Sequence, residues 1–125
     1  MRIFKTKEFA RFARRERISD ANLEAAVARA EAGHIDADLG GGIVKQRVPR
    51  AGQGRSGGYR VIVFYRTRTR AIFVEGYAKS ARDNIEADEL VALRKACRLA
   101  LAFTDEKIAA LLEARTWLEI DNGAD

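Results

Sequence analysis

Residues 59–78 read YRVIVFYRTRTRAIFVEGYA and are the most strand-like part of the chain. Tyr59 to Arg66 and Ala71 to Ala78 are rich in β-branched and aromatic residues, a composition typical of strands. The connection between them is the short polar segment Thr67-Arg68-Thr69-Arg70. We therefore predict two antiparallel neighbours that lie near the centre of a sheet.

The segment before this pair predicts another strand, with one basic face. From Ile43 to Val48 side chains alternate between the two faces, so Lys45 and Arg47 point the same way. The loop that follows, Pro49 to Gly58, contains the only proline of the chain, four glycines and two arginines.

Helical periodicity appears on both sides of these strands. A short first strand is expected at Ile3 and Phe4, and Thr6, Ser19 and Thr104 are good N-cap residues for helices. Apolar residues recur at helical spacing in Phe9 and Phe12, in Leu23, Ala26, Val27 and Ala30, in Leu90, Leu93, Cys97 and Leu101, and in Ile108, Leu111 and Leu112. Trp117 to Ile120 is either a last short strand or an apolar tail.

This order of elements predicts a single α+β domain over residues 1–125. We expect a mostly antiparallel sheet packed by an N-terminal helical hairpin, with C-terminal helices. The face of the sheet opposite the hairpin should be partly open.

Charge is distributed unevenly along the chain. The net charge is +5, but residues 1–82 carry 18 Lys or Arg against 8 Asp or Glu, and residues 83–125 carry 5 against 10. No acidic residue lies between Leu39 and Val74, a stretch that contains Lys45, Arg47, Arg50, Arg55, Arg60, Arg66, Arg68 and Arg70. This pattern indicates a polyanion site. The alternative is a solvated basic face that only keeps the protein soluble.

Other classes of protein are disfavoured. The single Cys97 cannot form an internal disulfide, and no Cys/His cluster is present to hold zinc, so we expect no metal and no cofactor. Residues 1–6 have no secretory apolar core, and no apolar run approaches the roughly 18 residues of a membrane span. We expect a protein of the reducing cytoplasm with no membrane partner.

Two stretches of the chain resemble a known family. Arg55-Ser56-Gly57-Gly58-Tyr59-Arg60-Val61-Ile62, and then Gly76-Tyr77-Ala78-Lys79-Ser80-Ala81-Arg82, are similar to the RelE/HigB toxins of type II toxin–antitoxin systems, within the RelE/ParE superfamily. The HigB-like branch is the most similar. The resemblance implies an endoribonuclease, or mRNA interferase, that cleaves mRNA on the ribosome by metal-free transesterification. It also implies inhibition by a cognate antitoxin, expected to be a helix-turn-helix protein.

The resemblance also assigns roles to individual residues. Arg60 matches the phosphate-binding arginine of the family, Lys45 and Arg47 resemble its paired basic residues, and Lys79 matches the lysine after the next strand. Arginine suits a phosphate because its planar fork binds two oxygens at once. Ser80 stands where relatives often have an arginine. Relatives often also have a tyrosine a few residues further on, and this chain has none there. Arg82 and Tyr77 are the expected substitutes for the two missing residues, and the general acid and base stay open.

The remaining basic residues of the loop, Arg50 and Arg55, are expected to bind RNA together with Lys45 and Arg47. His34 follows a helix stop at Gly33 and is expected to have a capping or surface role. Cys97 lies on an apolar helical stripe, which favours packing.

Two other functions fit parts of the pattern. ParE-like toxins share this fold and bind DNA gyrase, although such an inhibitor has no need of convergent phosphate-binding residues. A plain RNA-binding module would instead need aromatic residues on an exposed sheet face for base stacking, and Tyr59, Tyr65 and Tyr77 are the candidates.

Overall fold

The computed structural model describes residues 1–50, 57–79 and 85–120, which form an α+β fold around one six-stranded sheet. The strands are β1 (Arg2–Thr6), β2 (Ala37–Gly40), β3 (Ile43–Val48), β4 (Tyr59–Arg66), β5 (Arg70–Ala78) and β6 (Trp117–Ile120). The helices are α1 (Lys7–Arg15), α2 (Asp20–Glu31), α3 (Ala87–Leu101) and α4 (Asp105–Glu113). Strand order across the sheet is β2-β3-β4-β5-β1-β6, and β1 with β5 is the one parallel pair among these strands.

The predicted strands are confirmed where the sequence pattern is strongest. β3 and β4 have the predicted bounds, β5 begins one residue earlier, and β4 and β5 are the two central, antiparallel neighbours. The sequence did not predict β2, which has only four residues and includes Asp38 and Gly40. Its strand conformation depends on pairing with β3, a tertiary contact that no local pattern encodes.

The predicted N-terminal helical hairpin does not match the structure, because the N-terminal element is a strand. β1 inserts between β5 and β6, and α1 and α2 follow it. Thr6 and Ser19 cap these helices as predicted, each accepting a hydrogen bond from a backbone N–H three residues on. α1 packs on β5 and β1 whereas α2 packs on β3, so each helix buries its apolar stripe on the sheet.

Helices pack on both faces of the sheet, and each face has its own hydrophobic core. α1 and α2 pack with Val44, Val61 and Phe73 on one face, which we call the α1/α2 face. α3 and α4 pack with Ile43, Ile62 and Phe64 on the other, the α3/α4 face. In α3 the buried residues are Cys97, Ala100 and Leu101, all in its C-terminal half. The N-terminal half of α3 therefore adds no fully buried side chain to the core on the α3/α4 face.

One carboxylate holds the β4–β5 turn. Glu31, the last residue of α2, accepts hydrogen bonds from the Tyr65 hydroxyl, from Thr67 Oγ1 at 2.9 Å and from the Arg68 backbone N–H at 3.1 Å. The bond from Tyr65, helped by those from Arg68 and Thr67, lowers the pKa of Glu31. The ionised carboxylate thus fixes the turn to the end of α2.

We expect this bond to make stability depend on pH. A carboxylate whose pKa is lowered by folding stabilises the fold above its unfolded pKa of about 4.3, and that contribution is lost as pH falls through the folded pKa. The melting temperature of Glu31→Gln should therefore lie below that of the wild type at pH 7, and the difference should shrink as pH falls below the unfolded pKa of about 4.3. Glu24→Gln, on the same helix, is the control. A gap that stays constant with pH would show that the ionised carboxylate is not the stabilising group.

Candidate active site

Three site candidates lie in one row across the three neighbouring strands β3, β4 and β5. Arg47 is directly opposite Arg60, and Arg60 is directly opposite Tyr77. Side chains of directly opposite residues share a face, with Cβ atoms about 5 Å apart. The adjacent row contains Lys45, Ile62 and Glu75. The register thus brings Lys45, Arg47, Arg60 and Tyr77 together on the α3/α4 face.

Arg60 is buried, with 8% of its surface exposed, yet it has little to bind. Its guanidinium makes one hydrogen bond, a long one of 3.5 Å from Nη1 to the carbonyl of Tyr59, and no ion pair with any described residue. Burying a cation is costly unless it is paired, and a guanidinium has five N–H donors in a fixed fork. The arrangement leaves donors available for an anion such as phosphate.

The residue before Arg60 fixes the strand from the opposite side. Tyr59 points to the α1/α2 face, where its ring packs edge-on against Phe12 and its hydroxyl donates to Glu16 at 2.9 Å. Burial, together with the Glu16 carboxylate, raises the pKa of Tyr59, so it remains a donor at neutral pH. Because neighbours in a strand face opposite ways, this anchor directs Arg60 to the site.

β3 is held in register by a buried glutamine. Gln46, 1% exposed, donates to the carbonyls of Ala26 at 3.0 Å and His34 at 3.2 Å and accepts from the Asp36 backbone N–H at 2.7 Å. Asp36 in turn accepts from the Arg47 backbone N–H at 2.7 Å. These bonds tie β3 to α2 and fix the backbone from which Lys45 and Arg47 project.

The cations of the site are not neutralised within the described ranges. Lys45, Arg47 and Lys79 form no ion pair there, and Asp36 is already paired with Arg29 at 2.6 Å. Arg47 is exposed and Lys45 is half-buried. Lys79 follows the end of β5 and remains attached to β4, since its backbone N–H donates to the Gly58 carbonyl at 3.2 Å.

The structure does not bring every predicted residue to this row. Arg50 lies over the Tyr59 ring, 5.8 Å from its centroid, and therefore on the α1/α2 side. Arg55 and Arg82 lie outside the described residues, so their predicted roles have no geometry here.

Sequence reasoning missed Glu75. This carboxylate is in the row next to Tyr77 on the same face, at an irregularity where the β4–β5 register shifts by one residue. The bulge places Glu75 on this face, because the alternation of side chains between the two faces of β5 is interrupted at Val74. The sequence feature that could have identified Glu75 is that it is the only acidic residue of β5.

Three other residues, His34, Cys97 and Tyr65, lie away from the row of Arg47, Arg60 and Tyr77. His34 is exposed and takes part through its backbone carbonyl, which Gln46 binds. Cys97 is buried, its thiol contacts the Gly41 carbonyl at 3.4 Å, and burial raises its pKa. Tyr65 faces the α1/α2 core.

Within residues 1–50, 57–79 and 85–120, no three His, Cys, Asp or Glu side chains are grouped as metal ligands would be. No helix of the same ranges has the length and apolarity needed to cross a membrane.

Comparison with known families decides the identity. The family model described as the RelE toxin of the RelE/RelB toxin–antitoxin system matches residues 1–120. The chain belongs to the RelE toxin family. It is thus a toxin of a toxin–antitoxin system, and it pairs with an antitoxin. Toxins of this family are in general RNases that inhibit translation. None of the curated proteins matches the toxin. The resemblance seen in the two sequence stretches is confirmed.

Proposed function

We propose that this toxin is an endoribonuclease that cleaves mRNA on the ribosome by metal-free transesterification. The observation that carries the proposal is Arg60, a buried arginine without a carboxylate partner in the described part of the chain, between Arg47 and Tyr77. Family membership supports RNA cleavage as the general activity.

The reaction needs charge stabilisation and two proton transfers. The 2′-oxygen of a ribose attacks the adjacent phosphorus, the bond from phosphorus to the 5′-oxygen breaks, and the products are a 2′,3′-cyclic phosphate and a 5′-hydroxyl. A base takes the proton of the 2′-hydroxyl, and an acid protonates the leaving 5′-oxygen. Arg60 holds two oxygens of the scissile phosphate, where negative charge develops in the transition state.

The other residues of the site divide the remaining roles. Lys45 and Arg47 bind the neighbouring phosphates, and Arg55 is proposed as a further contact from the loop. Arg50 lies on the other side of the sheet and is not included. Tyr77, Lys79 and Arg82 are the candidates for proton transfer and for stabilising the leaving oxygen. Glu75 is added to them as a candidate proton acceptor, because its row adjoins that of Tyr77.

We further propose that the antitoxin is a helix-turn-helix protein with an acidic segment that covers Lys45, Arg47 and Arg60. Complementary charge would speed association and exclude RNA from the same surface. Apolar surface near α3 also supports a protein partner. Val91 and Leu99 are 67% and 58% exposed, and clefts of about 470 and 410 Å³ border the helix at Leu93. We propose the cytoplasm as the place of action, where Cys97 stays reduced.

The two alternative functions have less support. A ParE-like inhibitor of gyrase gives no reason to bury an unpaired arginine between two strands. A stacking surface for bases would need the three tyrosines on one exposed face, whereas Tyr59 and Tyr65 face the α1/α2 core and Tyr77 faces the other way.

Inducing the toxin without its antitoxin is expected to arrest growth and to shorten cellular mRNA, because cleavage removes translatable message. The measurements are growth and the lengths of several abundant transcripts, with Arg60→Ala at equal soluble protein level as the control. Unchanged growth at a high level of folded protein would contradict a toxin that acts alone. Arrest with intact mRNA and altered DNA supercoiling would instead favour the gyrase alternative.

A further inference from the structure

A second group of arginines lies at the other end of the sheet. Arg66 ends β4, on the same face as Arg60 and six positions along the strand, about 20 Å away at roughly 3.3 Å per residue. Arg68 occupies the β4–β5 turn, and Arg94 and Arg98 project from α3. All four side chains are exposed. We call Arg66, Arg68, Arg94 and Arg98 the hairpin patch.

Like charges are brought together here by the strand register. Arg66 is directly opposite Arg70, and Arg70 is directly opposite Arg2. Like charges in this position destabilise a sheet. Hydrogen-bond partners offset the positive charge of two of these three arginines. Arg2 binds Glu119 through two bonds of 2.9 Å, and Arg70 Nη1 donates to the carbonyls of Ala100 and Phe103 at the end of α3. Arg66 has no such partner in the described ranges.

α3 brings further positive charge to Arg66. Arg94 Nη2 donates to the Leu39 carbonyl at 3.0 Å, which fixes it at the end of β2. Both Arg66 and Arg98 act on the Cys97 thiol, whose pKa they lower against the larger effect of burial. The charges of the strand and the helix thus converge on one place. No carboxylate of the described ranges forms an ion pair with any of the four.

The turn is held in a fixed shape with an arginine in a costly conformation. Arg68 has φ of 60°, in the left-handed region that glycine and asparagine occupy most easily. Glu31 accepts hydrogen bonds from the Arg68 backbone N–H and the Thr67 hydroxyl, and so holds the turn in this conformation. Strained residues held by their surroundings are common at binding sites.

We propose that the hairpin patch is a second RNA-binding site, which takes the sugar-phosphate backbone at a distance from the scissile bond. This inference rests on the proposed function for the scissile site. Arginines that form no ion pair within the described ranges, on a preorganised turn and the adjoining strand and helix, fit phosphate oxygens. A span of about 20 Å corresponds to on the order of six stacked nucleotides at ~3.4 Å each, so a stacked trinucleotide bound at Arg60 stops short of the patch. The backbone comes from the substrate strand or from ribosomal RNA.

The test compares the wild type with Arg66→Ala/Arg98→Ala. Binding is measured to a trinucleotide, to a 20-nucleotide single strand and to purified ribosomes, over a range of salt concentration. Losing two phosphate contacts should reduce the log–log salt slope by about 1.4, at about 0.7 per contact in a single strand. We expect this reduction for the 20-nucleotide strand if the patch follows the substrate, or weaker ribosome binding if it contacts ribosomal RNA. Trinucleotide binding should change less than either.

Matched variants make the result specific. Arg11→Ala/Arg14→Ala removes the same charge from exposed positions of α1, and Arg66→Lys/Arg98→Lys keeps the charge. The first should have little effect, and the second should retain most of the slope. Equal losses in Arg66→Ala/Arg98→Ala and in the α1 variant, for both long probes, would overturn the proposal. Repeating the binding measurements on an Arg60→Ala background tests the hairpin patch without the site at Arg60. Failure of the proposed function would appear separately, as absent cleavage by the wild type.

Discussion

Replacing Arg60 by alanine is expected to reduce RNA cleavage by about 10²–10³-fold, the typical cost of removing one donor that stabilises transition-state charge. The fold should survive, because the Arg60 guanidinium makes only one long hydrogen bond and no ion pair in the described ranges. Lysine should restore activity only in part, since a point charge cannot reproduce a bidentate fork. The measurements are cleavage rate and thermal melting on the same preparations.

A buried arginine kept for function should cost stability. Arg60→Met fills similar space without a charge, so its free energy of unfolding should rise by roughly 1–3 kcal/mol, the usual cost of a buried polar group left uncompensated. The same variant should be inactive in cleavage. Arg11→Ala, on the exposed surface of α1, is the control for loss of charge. A destabilised Arg60→Met, or a fully active Arg60→Ala, would mean that Arg60 has a structural role and the phosphate binds elsewhere.

Gly58→Ala is expected to be the most damaging small substitution near the site. A Cβ at Gly58 would lie 2.2 Å from the Val48 carbonyl oxygen and 3.1 Å from the Arg50 nitrogen, both backbone atoms. No side-chain rotation relieves this contact, so β3 and β4 must separate where Arg47 faces Arg60. We expect a loss of about 1–3 kcal/mol in the free energy of unfolding, as for overpacked cores. Cleavage should fall in parallel.

Gly76→Ala provides the matched comparison. Its Cβ would lie 2.3 Å from the ring of Phe12, a side chain that a second substitution can shorten. Gly76→Ala combined with Phe12→Leu should therefore cost less than the sum of the two single variants. Phe12→Leu should not reduce the loss in free energy of unfolding caused by Gly58→Ala, because the Gly58 contacts are with backbone atoms. If Gly58→Ala melted and cleaved like the wild type, the close approach of β3 and β4 would not be what aligns the row.

The sequence predicted the strands of the site better than their relation to one another. The alternation in Ile43 to Val48 placed Lys45 and Arg47 on one face correctly, and β-branched residues identified β4. That Arg47 meets Arg60, and Arg60 meets Tyr77, depends on register, which the close contact at Gly58 and the bonds of Gln46 help to set. Such contacts join residues distant in sequence.

Burial was the other property that local patterns did not reveal. No local sequence pattern indicated that the Arg60 side chain is buried, yet β4 lies inside the sheet between β3 and β5 and Arg60 is 8% exposed. The hairpin residue Arg66 and the α3 residue Arg98 are far apart in sequence. Because the C-terminal segment that contains α3 is acidic overall, its composition did not indicate that α3 contributes to a basic patch. The position of β1 between β5 and β6 was equally inaccessible, because Ile3 and Phe4 fit any strand with both faces buried.

The chemistry of the RNA ends tests the central claim most directly. RNA from cells in which the wild-type toxin is induced is compared with RNA from cells that express Arg60→Ala, and the new termini are mapped. Transesterification by the Arg60 site predicts fragments with 2′,3′-cyclic phosphate and 5′-hydroxyl ends in the wild type and their absence in the variant. New fragments with 3′-hydroxyl and 5′-phosphate ends, or no new fragments during growth arrest, would contradict it.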